Sequence, residues 1–111
     1  MSYNVYPTPY FKKLFKKLYK KHPSLKSDLN DLIQTLKEKP DFGIPMGSNI
    51  FKIRLAVTSK RKGKSGGARI ITYLVTEHKE IYLVYIYDKS QLENITKEQI
   101  LELLKSAGLS I

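Results

Sequence analysis

Residues 60–69 read KRKGKSGGAR and carry five positive charges and three glycines in ten positions. Glycine lets a backbone approach a ligand closely, while lysine and arginine bind phosphate oxygens, arginine through a planar fork of donors. The Gly-Lys-Ser at 63–65 matches the end of a nucleotide-binding phosphate loop. However, Thr58 stands where that loop needs its first glycine, and a strand pattern follows where it needs a helix. We therefore exclude a nucleoside-triphosphate site and expect phosphates of another kind.

Further cations and tyrosines belong to the strands predicted around this segment. Side chains two positions apart on a strand point to the same face. This alternation predicts three sets of side chains that share a face: Lys52 with Arg54, Arg69 with Tyr73, and Tyr85 with Tyr87 and Lys89. The third set forms only if its strand stays regular as far as Lys89.

Convergence of Arg54, Arg69 and Lys89 would form a cup of cations with tyrosine walls. Such a cup suits single-stranded RNA, because phosphates pair with the charges and bases stack on the rings. The alternative is that the tyrosines belong to the core. We favour a core position for Tyr82 and Tyr85, and leave both interpretations open for Tyr73 and Tyr87.

A cup of this kind could also do chemistry, because RNA carries its own nucleophile in the 2′-hydroxyl. Cleavage requires deprotonation of that hydroxyl, stabilisation of charge on the phosphate and protonation of the leaving 5′-oxygen. Arginine and lysine supply the electrostatic stabilisation, and tyrosine or a lysine of lowered pKa can transfer the protons. The sequence contains no recognisable serine–histidine–aspartate order, and two isolated histidines, His22 and His78, cannot form a metal site alone. We interpret both histidines as surface residues.

The composition favours a single domain with a polyanionic partner. The chain has 111 residues, no cysteine and a formal net charge of +10. Residues 1–26 carry seven lysines and no acid, and residues 42–76 carry seven lysines or arginines and no acid. Nucleic acid is favoured over membrane or acidic protein, and a surface kept basic for solubility is the alternative.

No apolar window is long enough to cross a bilayer and the N-terminus does not resemble a signal peptide, so we expect a cytoplasmic protein.

Three helices are predicted. The first covers residues 8–22, begins at Thr8-Pro9, and has an apolar half opposite a half formed by six lysines. That lysine half could follow phosphates, lie on a membrane or simply be solvated. Ser24 can cap a second helix, which ends at Pro40. A capping box at residues 96–99 begins the last helix, and Gly108 ends it.

Strands are predicted at residues 51–57, 69–76 and 80–88, the last two joined as a hairpin. Residues 3–6 could add an edge strand, and residues 40–49 are predicted to be a loop. The fold class is therefore α+β: an N-terminal helical hairpin packed on a small antiparallel sheet of three or four strands, with a C-terminal helix. Residues 1–111 form one domain.

Residues 50–100 resemble bacterial toxins of the RelE/ParE type, most of all the HigB-like branch of type II toxin–antitoxin systems. The N-terminal helical hairpin agrees with the architecture of that family. The matching residues are the strand with Lys52 and Arg54, the run Lys-Ser-Gly-Gly-x-Arg at 64–69, the strand at 81–83, Tyr87-x-Lys89, and Glu-Asn-Ile-Thr at 93–96.

The resemblance implies a toxin that enters the ribosomal A site and cleaves the messenger RNA there without a metal or another cofactor. The products would carry a 2′,3′-cyclic phosphate and a 5′-hydroxyl, and a cognate antitoxin would cover the basic surface. Arg69 matches the arginine that stabilises the scissile phosphate. The other matching basic residues are Lys52, Arg54 and Lys89.

Some relatives carry a catalytic tyrosine in the last helix, but residues 96–111 contain none. Tyr87 or Tyr73 could replace it, or a lysine such as Lys64 could act as base. The candidate catalytic residues are thus Arg54, Lys64, Arg69, Tyr87 and Lys89. The candidate RNA-binding residues are Lys52, Lys60, Arg61, Lys62 and Tyr73.

Two other functions fit the same fold. One is a ParE-like inhibitor of DNA gyrase that cleaves no RNA, and the other is an RNA-binding module without catalysis. The cations within residues 52–69 favour the RNA-cleaving toxin, because binding to gyrase does not require a site that stabilises a phosphate.

Overall fold

The computed structural model describes residues 2–60, 67–90 and 95–109. One sheet has the strand order β1–β5–β4–β3–β2, with β1 parallel to β5 and the other neighbours antiparallel. Two short 3₁₀ turns cover Thr58–Lys60 and Thr76–His78. The elements are β1 Asn4–Pro7, α1 Pro9–Lys21, α2 Leu25–Glu38, β2 Ile44–Gly47, β3 Ile50–Leu55, β4 Ala68–Val75, β5 Glu80–Asp88 and α3 Lys97–Ser106.

The helix boundaries follow the predicted caps at two of the three N-termini. The Thr8 hydroxyl accepts a hydrogen bond from the amide of Phe11 at 3.3 Å, and Pro9 begins α1. Thr96 and Gln99 form both bonds of the predicted capping box at α3. Ser24 precedes α2 without capping it. Among the described residues, no helix has the length and apolar character needed to cross a bilayer.

The predicted α+β class and its helical hairpin are confirmed, but the sheet has five strands where three or four were expected. It is also mixed, because the edge strand β1 runs parallel to β5. Residues 40–49 were predicted to be a loop, yet β2 lies within them. A two-residue turn joins β2 to β3, with Ser48 and Asn49 at φ values of 56° and 61°. Positive φ at both central positions is typical of a tight hairpin, so the Gly-Ser-Asn at 47–49 was a usable signal.

Both faces of the sheet are covered, which explains why β4 is buried along all but its last residue. The first core lies between the sheet and the α1–α2 hairpin and includes Phe11, Leu25 and Ile70. The second core lies on the opposite face and includes Ile100 and Leu104 of α3. Burial of a large apolar side chain contributes about 1.5–3 kcal/mol, so these two cores hold the sheet in its register.

The connection between β3 and β4 carries the basic segment, and its first end is fixed to α2. The carboxylate of Asp28, which is buried, accepts hydrogen bonds from the Thr58 amide at 3.0 Å and the Thr58 hydroxyl at 2.7 Å. The Ser24 hydroxyl donates to the same carboxylate at 2.8 Å and accepts from the Ser59 amide. Asp28 therefore sets where the chain leaves β3.

The second end of the connection is fixed by a close approach of two backbones. A Cβ atom on Gly67 would overlap the carbonyl oxygen of Leu55 and lie 3.1 Å from the amide nitrogen of Val57. The Gly67 carbonyl oxygen also accepts a hydrogen bond from the Lys89 amide at 3.1 Å. Glycine is thus required here by space, and the residue joins the start of β4 to the turn after β5.

Asp28→Ala should lower the free energy of unfolding by about 1–3 kcal/mol, because the Thr58 amide and hydroxyl lose their acceptor. Urea denaturation measures the change. Asp31→Ala removes an exposed carboxylate from the same helix and should stay within about 0.5 kcal/mol of the parent protein. Equal effects of the two substitutions would contradict the anchoring role of Asp28.

Gly67→Ala should destabilise the fold by about 1–3 kcal/mol, because the new methyl group forces the backbones of β3 and β4 apart. Thermal unfolding followed by circular dichroism measures the shift. Gly108→Asn is the control, since Gly108 has a φ of 75° with no atom near its Cβ position, and asparagine tolerates that conformation. A Gly67→Ala protein as stable as this control would show that the two backbones can separate at little cost.

Candidate functional site

Three of the predicted site residues form a row across the sheet where β3 ends and β4 begins. Arg54 lies directly opposite Arg69, and Arg69 lies directly opposite Tyr87. Directly opposed residues of antiparallel strands point to the same face, with Cβ atoms about 4.5–5.5 Å apart. Register alone therefore places the backbones of two arginines and one tyrosine side by side, with their side chains leaving the same face of the sheet. We call these three residues the Arg69 row.

Arg69 is the central and buried member of the row, with 6% of its surface exposed. Its guanidinium donates a hydrogen bond from Nη1 to the Ala68 carbonyl oxygen at 3.3 Å. Like charges placed directly opposite each other on a sheet are unfavourable, and a buried cation loses hydration. An anion bound against Arg69 and Arg54 would offset both costs. Two opposed arginines are thus an arrangement to which a phosphate can bind.

Tyr87 is as buried as Arg69, with 5% of its surface exposed. Burial raises the pKa of the Tyr87 phenol above its usual value; the positive charge of Arg69 works in the opposite direction and Tyr85 adds to the rise. The phenol is therefore protonated at neutral pH. It is suited to donating a proton, and Arg69 would stabilise the phenolate left behind.

Lys52 and Lys89 flank the row in different ways. Lys52, half-buried, lies opposite Ile71 and shares the face of Arg54. Lys89 was predicted to share the face of Tyr87 only if its strand stayed regular, but β5 ends at Asp88. Lys89 instead lies in the turn that follows, where its amide bonds to the Gly67 carbonyl oxygen. Its backbone is thus at the same end of the sheet as the row.

Arg54 is the exposed member of the row, at the edge left open beyond the first residue of β2, which pairs with Lys52. It also lines a depression of about 280 Å³ that includes Asp28 and Asp31 of α2. The structure therefore places the Arg54 backbone beside Arg69 on the sheet, and the residue borders both the row and the α2 side of the edge.

The division of the tyrosines between core and partly exposed positions differs from the prediction. Tyr73 and Tyr87 are both buried members of the second core, so the core interpretation is supported for both, and Tyr87 is also a member of the Arg69 row. Tyr85, expected in the core, is half-buried, as is Tyr82. The Tyr85 ring lies between the Tyr87 ring, at a centroid distance of 5.8 Å, and the Tyr10 ring, at 5.9 Å. Aromatic surface near the row therefore comes from Tyr85.

Two further residues near the row were not indicated by the sequence pattern. Tyr10 lies in the first turn of α1, and 43% of its surface is exposed. His22 was interpreted as a surface residue, but it is half-buried, with its Nε2 3.2 Å from Oδ2 of Asp88. Asp88 Oδ1 accepts from the Ser90 amide and hydroxyl, at 2.9 and 2.7 Å. Contacts between residues this far apart in sequence leave no local signal.

Part of the predicted site lies outside the described residues. Arg61, Lys62 and Lys64 belong to residues 61–66, and only the backbone of Lys60 is described, at the end of the Thr58–Lys60 turn. Their predicted roles therefore stay predictions. The described anchors at Asp28 and Gly67 show where this segment begins and ends.

Comparisons with known proteins identify the family and the fold. Residues 9–110 match the family described as the RelE toxin of the RelE/RelB toxin–antitoxin system. The fold is similar to that of a mutant of the E. coli toxin RelE in the free state, with a TM-score of 0.64, 16% sequence identity, and coverage of 96% of this chain and 98% of that chain. The predicted RelE/ParE membership is confirmed, and the HigB-like branch stays a prediction. Because the family match covers nearly the whole chain, the protein belongs to the RelE family, the toxins of RelE/RelB-type toxin–antitoxin systems.

Proposed function

We propose that this toxin is a ribosome-dependent endoribonuclease that cleaves messenger RNA in the A site. The observation that carries the proposal is the Arg69 row, in which a buried arginine lies between a second arginine and a protonated tyrosine. A phosphate-binding pair beside a proton donor has two of the three functions that cleavage through the 2′-hydroxyl requires.

In the proposed reaction, the 2′-oxygen of the RNA attacks the adjacent phosphorus after losing its proton to a base. The bond from phosphorus to the 5′-oxygen breaks, and that oxygen takes a proton from Tyr87. The products are a 2′,3′-cyclic phosphate and a 5′-hydroxyl. Arg69 and Arg54 stabilise the negative charge that develops on the phosphate oxygens, and the burial of Arg69 in the sheet limits the reorganisation that its side chain needs.

The direction of the pKa shift of Tyr87 decides between the roles of general acid and general base for this residue. A phenol whose pKa is raised is a poor base at neutral pH and remains available as an acid. Tyr87 is therefore proposed as the general acid, and the general base must be another residue. The base is proposed to be a lysine, either Lys64 in the basic segment or Lys89 in the turn after β5.

The remaining cations are proposed to bind the message or ribosomal RNA. Lys52 continues the face of the row, and Lys60, Arg61 and Lys62 follow directly from the turn held by Asp28. The proposed partners are therefore the ribosome with its messenger RNA and a cognate antitoxin. An antitoxin segment that is acidic would inhibit the toxin by covering these cations, and the whole cycle would take place in the cytoplasm.

Arg69→Ala should abolish cleavage, with a loss of about 100-fold or more, because removing one preorganised charge-stabilising donor typically costs this much. Primer extension on a reporter message in a purified translation system measures it. Cuts are expected at A-site codons, only when ribosomes are present. Arg69→Lys keeps the charge without the planar fork and should retain an intermediate rate.

Lys26→Ala removes an exposed lysine of α2 far along the chain from the row and should cleave like the parent protein. Translation blocked with an intact message would contradict catalysis and favour a non-catalytic RNA-binding module. An intact message with normal translation would favour the ParE-like alternative, which a gyrase supercoiling assay then tests.

Tyr87→Phe should lower the single-turnover cleavage rate by about 100-fold, and by the same factor at every pH between about 6 and 9. The factor is constant because the raised pKa keeps the phenol protonated throughout that window. Tyr82→Phe, which removes a hydroxyl bonded to Glu80 outside the row, is the control and should change little. A ratio of parent to Tyr87→Phe rates that grows about tenfold per pH unit would instead identify Tyr87 as the base.

A further inference from the structure

A groove of about 270 Å³ runs between α1 and the end of β5, next to the Arg69 row. We call it the α1–β5 groove. Ligand pockets for whole small molecules start at about 300 Å³, so this groove has room for one small planar group rather than an extended ligand. The residues that matter to its chemistry are Leu14, Lys17 and Lys21 on the α1 side, and Tyr85, Tyr87 and Asp88 on the β5 side.

The groove combines an aromatic wall with a cationic rim. The half-buried ring of Tyr85 lies 5.8 Å from the Tyr87 ring and 5.9 Å from the exposed Tyr10 ring. Lys17 and Lys21 are exposed and lie one helical turn apart on the side of α1 that faces β5. An aromatic platform beside cations is the arrangement that binds single-stranded nucleic acid, with the base on the ring and the phosphate on the charges.

The single carboxylate in the groove does not oppose an anion strongly. Oδ2 of Asp88 lies 3.2 Å from Nε2 of His22, and Oδ1 accepts two hydrogen bonds from Ser90. These contacts hold Asp88 at the end of β5 with its negative charge directed at donors. The other charged groups of the groove, Lys17 and Lys21, are positive.

The position of the groove links it to the proposed catalytic site. Tyr87 belongs to both, since it lines the groove and lies opposite Arg69 in the sheet. A strand of RNA whose scissile phosphate lies on the Arg69 row would therefore reach the groove with a neighbouring nucleotide. We propose that the α1–β5 groove binds one nucleotide flanking the cleavage point, with its base against Tyr85 and its phosphate between Lys17 and Lys21. This subsite rests on the proposed function for its role in cleavage.

Binding to RNA alone tests the subsite separately from catalysis. The probe is a fluorescein-labelled ten-nucleotide single-stranded RNA with 2′-O-methyl riboses, which lacks the nucleophile and cannot be cleaved. Fluorescence anisotropy gives the dissociation constant. Lys17→Gln with Lys21→Gln should raise it by about fivefold or more, because a localised phosphate contact is lost.

Lys16→Gln with Lys20→Gln is the matched control, with the same charge change on the same helix but outside the groove lining. This pair should raise the dissociation constant by less than about twofold. A second readout uses the same RNA with 5-iodouridine at single positions, irradiated and mapped by mass spectrometry, and a crosslink to Tyr85 is expected.

Equal losses for the two lysine pairs would overturn the subsite, because they would indicate a delocalised attraction of the RNA to the positive charge of α1. Absence of any binding by the parent protein, or crosslinks confined to other residues, would also overturn it. Groove binding without cleavage in the ribosomal assay would leave the subsite standing and reject the nuclease. Cleavage by the parent protein, together with equal RNA affinities of the Lys17/Lys21 and Lys16/Lys20 variants, would reject the subsite and leave the nuclease standing.

Discussion

A buried arginine on the central strand is the constraint on which the rest of this structure depends. Arg69 lies between Arg54 and Tyr87, and with only 6% of its surface exposed it has lost most of its contact with water. Such a side chain needs strands on both sides to hold it and polar groups to satisfy it. The five-stranded sheet supplies the strands, and the two cores on its faces keep their register.

The connection between β3 and β4, which contains the basic segment, is held at both ends. Its first end is held by the buried carboxylate of Asp28, and its second end by the close backbone approach at Gly67. Neither anchor is itself a cation, although Gly67 lies within the basic segment. The contacts that hold the two ends of the connection therefore depend on Asp28 and Gly67 and not on the lysines between them.

Membership of the RelE family and the shared fold do not by themselves assign a reaction, because function resides in the site rather than in the fold. The site adds a specific argument. Burial raises the pKa of Tyr87 while the charge of Arg69 opposes the rise, so the phenol is protonated but its phenolate has a cation beside it. That combination supports a proton donor at the leaving oxygen, a role that a tyrosine of the last helix cannot fill here because that helix has none.

Signals confined to neighbouring residues were enough to predict the three helices, strands β3, β4 and β5, and the candidate cations and phenols. The cap at Thr8, the capping box at residues 96–99 and the alternation of β3 act over a few positions, so their outcome is legible in the sequence. The Gly-Ser-Asn turn of the β2–β3 hairpin is an equally local signal, but the glycines and prolines of residues 40–49 favoured a loop.

Only the tertiary structure decided which of these residues meet. The parallel pairing of β1 with β5, the burial of Tyr73 and the partial exposure of Tyr85 depend on how α1 and α3 cover the two faces of the sheet. The contact of His22 with Asp88 joins residues 66 positions apart. Burial and long-range pairing are properties of the packed chain, and no pattern of adjacent residues encodes them. The sequence therefore determined which chemical groups are present, and packing determined which of them lie side by side.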